Sequence, residues 1–416
     1  MKINNSQIKS SKLKVLEEGK AKFFLFNKDV DSIPTKSMDV FYNKKMEINR
    51  DITKLAVDAY CELYDEKNLT IIDSMAGSGI GSIRLLKESK NIKKIYINDI
   101  NPVAEELIIK NLDLNNLLKD EREIIVSRKD ANFLFSEITE NYLTNIPSNQ
   151  EKPHIISIDP FGTPNLYTDG AFKAIKKKNG LLCITATDTA VLFGVKPNAC
   201  RRKYMAKPLH NEFCKETGAR ILLYFISRIA NINGLGIKPL LTFYHSHFIR
   251  IFVTTISSKK TIAEKLDNYR YIIYCNECGN RFILKDNPIH DRVKCGLCGE
   301  KSDLDYAGPI WVENIHDYDF LNKIESLNKK SKIKNRDKLK RILEFCKEEY
   351  EMPISYYDIH RLCKQIKSSH VPTMDLLLKD LHNNNYKASR THFSFTSIKT
   401  DANINSIKKI ILNLDN

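Results

Sequence analysis

The chain has 416 residues, which is too long for one ordinary domain, so two or three domains are expected. Its 66 basic and 51 acidic residues give a net charge of +15, which favours a polyanionic partner, nucleic acid first and an anionic membrane surface second. The 42% hydrophobic content excludes a mainly disordered chain, and no apolar run approaches the ~20 residues of a membrane helix, so we expect a cytoplasmic protein without a membrane segment.

The first predicted elements are a strand at residues 21–26 and a helix that begins near Asn49 or Asp51 and continues through Tyr60. Phe41 and Arg50 lie at the entry to this helix, where loop residues can reach a ligand. From the local sequence alone, packing for Phe41 and a surface charge for Arg50 are the favoured interpretations.

A glycine-rich turn follows the next predicted strand, residues 69–73. Asp73 ends this strand, Gly77 and Gly79 lie in the turn, and a helix begins at Ser82. Strand, glycine turn and helix form the unit that brings the backbone close to a nucleotide-like cofactor, because glycine permits positive φ and close approach.

Two further predicted strands also end near an acid. Residues 94–98 lead into Asp99, where a carboxylate can accept hydrogen bonds from both ribose hydroxyls of an adenosine. Residues 124–127 are followed by Asp130, Ala131 and Asn132, and a carboxylate or amide there can reach an adenine amino group.

The central feature of the sequence is the buried strand predicted at residues 155–158 and the Asp159-Pro160-Phe161-Gly162 corner that follows it. Ligands of open α/β sheets bind outside the carboxyl ends of the strands. A carboxylate there can accept a hydrogen bond or proton from an amine, an X-Pro peptide leaves a carbonyl pointing outward, and an aromatic ring offers a stacking surface. The corner therefore predicts a site for the exocyclic amine of a nucleobase, with Asp73, Asp99, Asp130 and Asp159 along one sheet edge.

The rest of the sheet follows in order. A helix is predicted at residues 168–178 with Gly180 as its C-cap, then a strand at 181–187, a helix at 212–230 and a closing hairpin formed by 240–243 and 248–254.

Four cysteines have the spacing of a zinc ribbon. Cys275 and Cys278 form one C-x2-C pair, and Cys295 and Cys298 form the second, with a glycine after each pair. Four thiolates fill a tetrahedral site and leave no open position, so we interpret the metal as structural Zn²⁺ and His290, between the pairs, as a bystander. Two disulfides are the alternative, which a reducing compartment disfavours.

The C-terminal region combines a basic segment at residues 329–341 with two predicted short helices and a predicted strand pair near residues 355–393. This order resembles a winged helix, a frequent nucleic-acid module. The basic face is either simply solvated or contacts RNA phosphate, and the sequence leaves both open.

Several motifs carry a resemblance to known enzymes. The Asp73-x-x-x-Gly77-x-Gly79 pattern resembles motif I of class I S-adenosylmethionine methyltransferases, and the corner at Asp159 resembles motif IV of those that methylate exocyclic amines. A NAD-type Rossmann enzyme, the alternative, would not need the acid-proline-aromatic corner. The following motifs recur in this order in one family: Val40–Asn43, Asn49–Asp51, Asp159–Gly162, Thr185–Asp188, Cys200–Tyr204 and Arg390–Phe393. From about residue 19 to residue 402, the chain resembles the archaeal-type tRNA (guanine-26-N2)-dimethyltransferases.

The resemblance implies a fold and a set of functional residues. The fold is α/β: a class I, Rossmann-like methyltransferase domain at 1–256, and a smaller α+β C-terminal domain at 257–416 with a zinc ribbon at about 271–308 and a winged-helix-like segment at about 350–400. The implied ligands of the methyl donor are Arg50, Asp73, Gly77, Gly79, Arg84, Asp99, Asp130 and Ala131. Asp159 and the Pro160 carbonyl would act on the amine, Phe41 and Phe161 would grip the base, and Gly81 stands where the family often has arginine.

The implied activity is transfer of one or two methyl groups from S-adenosylmethionine to N2 of guanosine 26 in tRNA, with no obligate protein partner. One alternative is methylation of another guanine or adenine in RNA or DNA. A second is a tRNA-binding protein with an inactive methyltransferase domain, which the intact Asp99, Asp130 and Asp159 argue against.

Overall fold

The computed structural model describes residues 8, 12–30, 35, 38–144, 151–285 and 293–415. Its largest unit is a seven-stranded sheet preceded by a separate hairpin of β1 (Leu13–Glu18) and β2 (Ala21–Phe26). The sheet strands are β3 (Leu69–Asp73), β4 (Ile92–Asn98), β5 (Glu123–Ser127), β6 (Ile155–Ile158), β7 (Leu181–Ala186), β8 (Gly236–His245) and β9 (Phe248–Ile256).

The strand order across this sheet is β5-β4-β3-β6-β7-β9-β8. Strands β3 to β7 are parallel to one another, and the β8–β9 hairpin joins the edge antiparallel through β9. Strands buried on both faces read as continuous apolar runs, which explains why β6 and β7 could be recognised from Ile155–Ile158 and Leu181–Ala186. The expected Rossmann-like sheet and its closing hairpin are confirmed.

Helices cover both faces of the sheet. They are α1 (Glu47–Tyr64), α2 (Ile80–Glu88), α3 (Pro102–Leu114), α4 (Ala131–Thr144), α5 (Thr168–Ala174), α6 (Thr189–Leu192), α7 (Pro197–Tyr204) and α8 (Cys214–Ile232). One core lies between the sheet and α1, α2 and α3, and a second lies between the sheet and α4, α5 and α8.

Two predicted helix boundaries are wrong, each because of a hydrogen bond near the helix end. Helix α1 begins at Glu47, before the predicted start, because the Asn43 side chain accepts from the Lys45 amide and caps a short turn that leads into the helix. Helix α5 ends at Ala174 instead of Lys178, because the Lys176 amide donates to Pro153 O at 2.9 Å. Gly180 is therefore not a C-cap; it leads into β7.

The C-terminal region contains two small sheets. Strands β10 (Tyr269–Cys275), β11 (Arg281–Leu284) and β12 (Leu304–Trp311) form an antiparallel sheet in the order β11-β10-β12. Strands β13 (Tyr357–Asp358), β14 (Ala388–Arg390) and β15 (Ser397–Thr400) form another in the order β13-β15-β14. The helices here are α9 (Lys259–Lys265), α10 (Tyr318–Lys330), α11 (Arg336–Glu348), α12 (Ile359–Ile366), α13 (Met374–Asn383) and α14 (Ile404–Asp415).

The two parts of the chain share hydrophobic cores. Phe320 of α10 and Leu339 of α11 are fully buried in the same cluster as Leu55 of α1. Residues of the last segment, from Tyr357 to Ile411, form a cluster of their own. The helix pair α10–α11 therefore packs directly on the unit built around the seven-stranded sheet, called the sheet unit below. Within the described residues, no helix combines the length and the apolar character that a membrane crossing requires.

Candidate active site

The acidic residues predicted at the strand ends lie along the carboxyl edge of the parallel strands. Asp73 ends β3, Asp99 follows β4, and Asp159 follows β6 on the other side of β3. Asp130 follows β5 and accepts from the backbone amides of Asn132 at 2.9 Å and Phe133 at 3.3 Å. Asp130 therefore caps the first turn of α4. Neither it nor Ala131 is among the residues that line the two cavities at this edge.

The glycine turn and Asp99 support each other. Gly77 has a φ of +55°, and a Cβ there would lie 2.8 Å from the Phe41 carbonyl oxygen, so only glycine fits under the loop that carries Phe41. Gly79 has a φ of +75°, and a Cβ there would lie 3.0 Å from Ile108. Asp99 Oδ2 accepts from the Gly77 amide at 2.8 Å, and Oδ1 accepts from the Asn101 amide at 3.0 Å. The carboxylate is therefore oriented by the backbone at both oxygens.

Two cavities meet at this edge. The inner one, about 110 Å³, is lined by residues that include Asn49, Arg50, Asp73, Gly81, Asp159 and Arg250. The outer one, about 750 Å³, is lined by residues that include Phe41, Asp99, Ile100, Asp159, Pro160 and Phe161. Asp159 and Gly77 line both cavities, so the predicted donor and amine sites are contiguous.

Asp73 has an unusual environment. Burial raises its pKa to about 6, although Ser82 Oγ donates to Asp73 Oδ2 at 2.6 Å, and the nearby negative charge of Asp159 raises it further. Burial also raises the pKa of Asp99. The part of the Asp73 pKa shift that comes from Asp159 is a repulsion between like charges, which a bound cation would relieve.

The corner after β6 is held by neighbouring elements. Asn49 Nδ2 of α1 donates to Asp159 Oδ2 at 3.1 Å, and the Asn49 residue is buried. The Gly162 amide donates to Thr187 Oγ1 at 2.8 Å, and the Thr187 amide donates to Gly162 O at 2.9 Å. These contacts fix the orientation of Asp159 and the path of the chain behind Phe161.

Phe41 and Phe161 form one aromatic pair at the rim. Their ring centroids are 5.5 Å apart with an interplanar angle of 86°, and the residues are 41% and 53% exposed. Because the two rings contact each other edge to face, no gap for a base lies between them. A planar base would stack on an exposed face of one ring instead.

Arg50 and Arg84 are engaged by carboxylates. Arg50 donates two hydrogen bonds to Glu18, both at 2.6 Å, and Arg84 binds Glu18 at 3.0 Å, Asp51 at 2.6 Å and Glu88 at 3.0 Å. Burial alone would raise the pKa of Glu18, but the two guanidinium groups lower it below its ordinary value. Arg84 is 1% exposed and both arginines line the inner cavity, so a role in holding the cavity wall is visible for each.

Three residues at this site were missed by sequence reasoning. Glu18 ends β1 before the Gly19-Lys20 turn, and the hairpin signal there would have revealed it. Asn49 lay in a recognised motif without an assigned role. Arg250 is 2% exposed and donates to Thr185, Thr53 and Ser157, and only the pairing of β9 with β7 brings it under the site.

The four predicted zinc-ligand cysteines come together in the small β10–β12 sheet. All four Sγ atoms lie within 4.8 Å of one another, with Cys275–Cys298 and Cys278–Cys295 distances of 3.6 Å. The thiols are free rather than disulfide-bonded, which argues against the disulfide alternative. Four converging sulfur atoms are the donor set of a structural Zn²⁺ site. His290 lies outside the described residues.

Comparisons with known proteins agree with this geometry. The family model for N2,N2-dimethylguanosine tRNA methyltransferases matches residues 19–412. A tRNA (guanine(26)-N(2))-dimethyltransferase of Methanosphaera stadtmanae is 34% identical over 401 residues, covering 96% of this chain and 97% of the relative. An Aquifex aeolicus relative described as acting on guanine 26 and guanine 27 is 29% identical and covers 95% of both chains.

A solved structure shows the same overall arrangement. Trm1 from Pyrococcus horikoshii, in complex with S-adenosylmethionine, superposes with a TM-score of 0.79 at 29% identity, covering 96% of this chain and 99% of that one. A match over 96% of this chain spans both the sheet unit and the C-terminal region. This chain therefore belongs to the family of N2,N2-dimethylguanosine tRNA methyltransferases.

Proposed function

We propose that this protein transfers one or two methyl groups from S-adenosylmethionine to the exocyclic N2 of guanosine 26 in tRNA. The observation that carries the proposal is the Asp159-Pro160-Phe161 corner, which borders both cavities at the carboxyl edge of the sheet. The named activities of relatives that match nearly the full chain support it.

The residues around the turn fit a methyl donor. The backbone-oriented carboxylate of Asp99 suits ribose hydroxyls, and Ile100, which is 66% exposed in the outer cavity, offers an apolar surface for a purine. Arg50, Asp73, Gly77 and Arg84, which line the inner cavity, would border the amino-acid end of the donor. Gly79 would shape the turn beside them, and Asp130 and Ala131, which line neither cavity, would reach the donor from the start of α4. S-adenosylmethionine, when bound, supplies an electrophilic methyl group.

The corner residues would prepare the guanine amine. The N2 lone pair is delocalised into the ring, and acceptors for its two hydrogens favour a tetrahedral, nucleophilic nitrogen. Asp159 and the Pro160 carbonyl would be these acceptors, and Asp159 would take the proton released after transfer. Phe161 or Phe41 would stack on the base, which must leave the folded tRNA to reach the corner. Most of the rate gain would come from alignment.

The C-terminal region, from residue 257, would bind the tRNA and hold Zn²⁺. The sheet of β10–β12 with its four cysteines supports a zinc ribbon. Helix α11, strand β13, helices α12 and α13, and strands β14 and β15 follow in the order of a winged helix, which supports a nucleic-acid module. The chain would act in the cytoplasm without an obligate protein partner.

The test is mass spectrometry of tRNA nucleosides after reaction with S-adenosylmethionine. We expect N2-methylguanosine and N2,N2-dimethylguanosine at position 26, and no product on a tRNA with adenosine at that position. Methylation of ribosomal RNA or DNA in place of tRNA would favour the alternative substrate class. No product on any nucleic acid, with no donor binding by calorimetry, would favour the inactive binding protein.

Donor affinity should depend on pH through Asp73. Because its pKa is raised to about 6, Asp73 is protonated and neutral below that pH and negatively charged above it. A sulfonium cation is favoured by the charged form, so its affinity should fall by up to about tenfold per unit as the pH drops below 6. Calorimetric titrations between pH 5 and 8 would measure this, and Asp73→Asn should flatten the profile. An unchanged profile in that variant would contradict the assignment.

Zinc content provides a separate test of the cysteine cluster. We expect about one zinc per purified chain by plasma mass spectrometry, and loss of most of it in Cys298→Ser. The matched control is Cys214→Ser, a free cysteine outside the cluster, which should retain the metal. Gly279, which follows Cys278, packs so closely against helix α14 that an added Cβ would lie 2.7 Å from Ile404 Cδ1. Loss of the metal should therefore disturb this contact and raise the KM for tRNA without weakening donor binding. Full zinc content in Cys298→Ser would contradict the site.

A further inference from the structure

A cavity of about 670 Å³ lies between the entry to α1, the β8–β9 turn and the α10–α11 connection. Its lysines come from both parts of the chain, Lys44 and Lys45 from the first and Lys334 and Lys338 from the second, and all four residues are exposed. This cavity, called the groove below, is distinct from the inner and outer cavities described above.

The positive charge of this groove is only partly neutralised. Lys334 pairs with Glu47 at 3.1 Å, but no carboxylate lies within ion-pair distance of Lys44, Lys45 or Lys338 in the described part of the chain. Asp29 is the other acid in the lining. His245 also lines the groove, and burial and the nearby charge of Lys338 lower its pKa to about 4, so it is neutral at physiological pH. Three unpaired lysines in one groove favour an anionic occupant.

Contacts between the two parts of the chain join the walls of the groove. Asn335 Nδ2 donates to Asp51 Oδ2 at 2.8 Å, and the Lys334–Glu47 pair adds a second contact between the α10–α11 connection and α1. These contacts hold Lys338 opposite the loop that carries Lys44 and Lys45. A preformed cationic groove binds an extended anion without a large ordering penalty.

Its position links it to the site of chemistry. Tyr42 and Asn43 line both this groove and the inner cavity, and Phe41, at the rim beside Asp159, precedes them in the same loop. On the opposite side of the rim, Lys203 is already paired with Asp188 at 3.0 Å. The groove therefore places unpaired positive charge close to the corner, on the side of the Phe41 loop.

From this arrangement we infer that the groove lined by Lys44, Lys45 and Lys338 binds the phosphate backbone of the RNA next to the nucleotide whose base enters the catalytic corner. The inference rests on the proposed function, because it takes RNA as the substrate. Phosphate contacts of this kind position the substrate and carry no sequence information. These contacts should not affect the methyl-transfer step directly, since none of the three lysines lines the inner or the outer cavity.

The test is the triple variant Lys44→Gln, Lys45→Gln, Lys338→Gln. At about 0.15 M salt its KM for tRNA should rise by about 10- to 100-fold, and the slope of log Kd against log salt should become shallower by about 2. Donor affinity and kcat at saturating tRNA should stay near the native values. The matched control is the triple variant Lys87→Gln, Lys90→Gln, Lys119→Gln. These lysines are exposed and lie near the amino ends of β4 and β5, at the opposite edge of the sheet.

The possible outcomes distinguish the proposed role of the groove from the proposed methyl-transfer activity. A native KM and salt slope in the triple variant, or equal effects in the control triple, would overturn the inference while leaving the activity intact. Loss of donor binding or of cooperative unfolding in the triple variant would mean that the lysines support the fold, which also overturns it. Failure of the native protein to methylate tRNA would instead refute the proposed function.

Discussion

Asp159→Asn is expected to bind S-adenosylmethionine within about twofold of the native affinity and to lose about 10²- to 10⁴-fold in kcat for methyl transfer. Asparagine keeps the volume of the side chain but cannot take a proton. In the native chain Asn49 Nδ2 donates to Asp159 Oδ2 at 3.1 Å, so an amide at 159 that satisfies Asn49 with its oxygen turns its NH₂ group toward the substrate amine. The amine hydrogens would then face a donor instead of an acceptor.

The measurement is single-turnover transfer of labelled methyl groups, with donor affinity from calorimetry. The control is Asp65→Asn, an acid just after α1 with a φ of +48°, a conformation that asparagine also tolerates. It should leave both quantities unchanged. Asn49→Ala should lower kcat by about tenfold, since Asp159 keeps its charge but loses a fixed orientation. Native single-turnover rates in Asp159→Asn would refute the assigned role.

Local sequence signals were sufficient to predict the strands of the sheet but not the ends of the helices that pack on it. Strand β6 and the corner at Asp159 were recognisable because a short apolar run ends at a turn signal. Helix α5 ended early because of one hydrogen bond from Lys176 to Pro153, a contact between segments that no local pattern encodes. Secondary structure was therefore predictable where a buried apolar run determines it, and not where a contact between distant segments does.

The same distinction holds for the candidate site. Asp73, Asp99 and Asp159 were found because strand ends of a parallel sheet must meet at one edge. Glu18 and Arg250 were missed because each reaches the site from an element far away in sequence, through hairpin or antiparallel pairing.

The Arg390–Phe393 motif shows the opposite case, a family motif placed away from the site. Thr391 Oγ1 donates to Glu349 Oε2 at 2.6 Å, and both His392 and His316 contact Glu349. All of these residues are buried. The imidazoles lower the pKa of Glu349 well below its ordinary value, so the carboxylate is ionised and satisfied inside the core. In this structure the motif therefore helps to hold the junction between α11 and the sheet unit.

Arg84→Met is expected to lower the free energy of unfolding by about 3–5 kcal/mol, because the substitution leaves buried carboxylates without their cation. Arg84 binds Glu18, Asp51 and Glu88, all at 3.0 Å or less, and Glu18 would keep Arg50 as its one cationic partner among the described residues. Urea denaturation followed by circular dichroism would measure the change. Arg84→Lys, which keeps the charge but not the three-way geometry, should lose a smaller amount.

The two interpretations of Arg84 give different results in this experiment. If the main role of Arg84 is to hold Glu18 and α1 in place, Arg84→Met lowers the free energy of unfolding. Donor affinity then falls only by the amount that results from displacement of Arg50. If Arg84 instead binds the donor directly, Arg84→Met leaves the unfolding free energy near native and raises the donor Kd. The matched control is Arg336→Met, whose exposed pair with Asp337 at 3.4 Å should contribute less than about 1 kcal/mol. A buried guanidinium with three carboxylate partners has its hydrogen bonds committed within the protein, which is why we expect the first result.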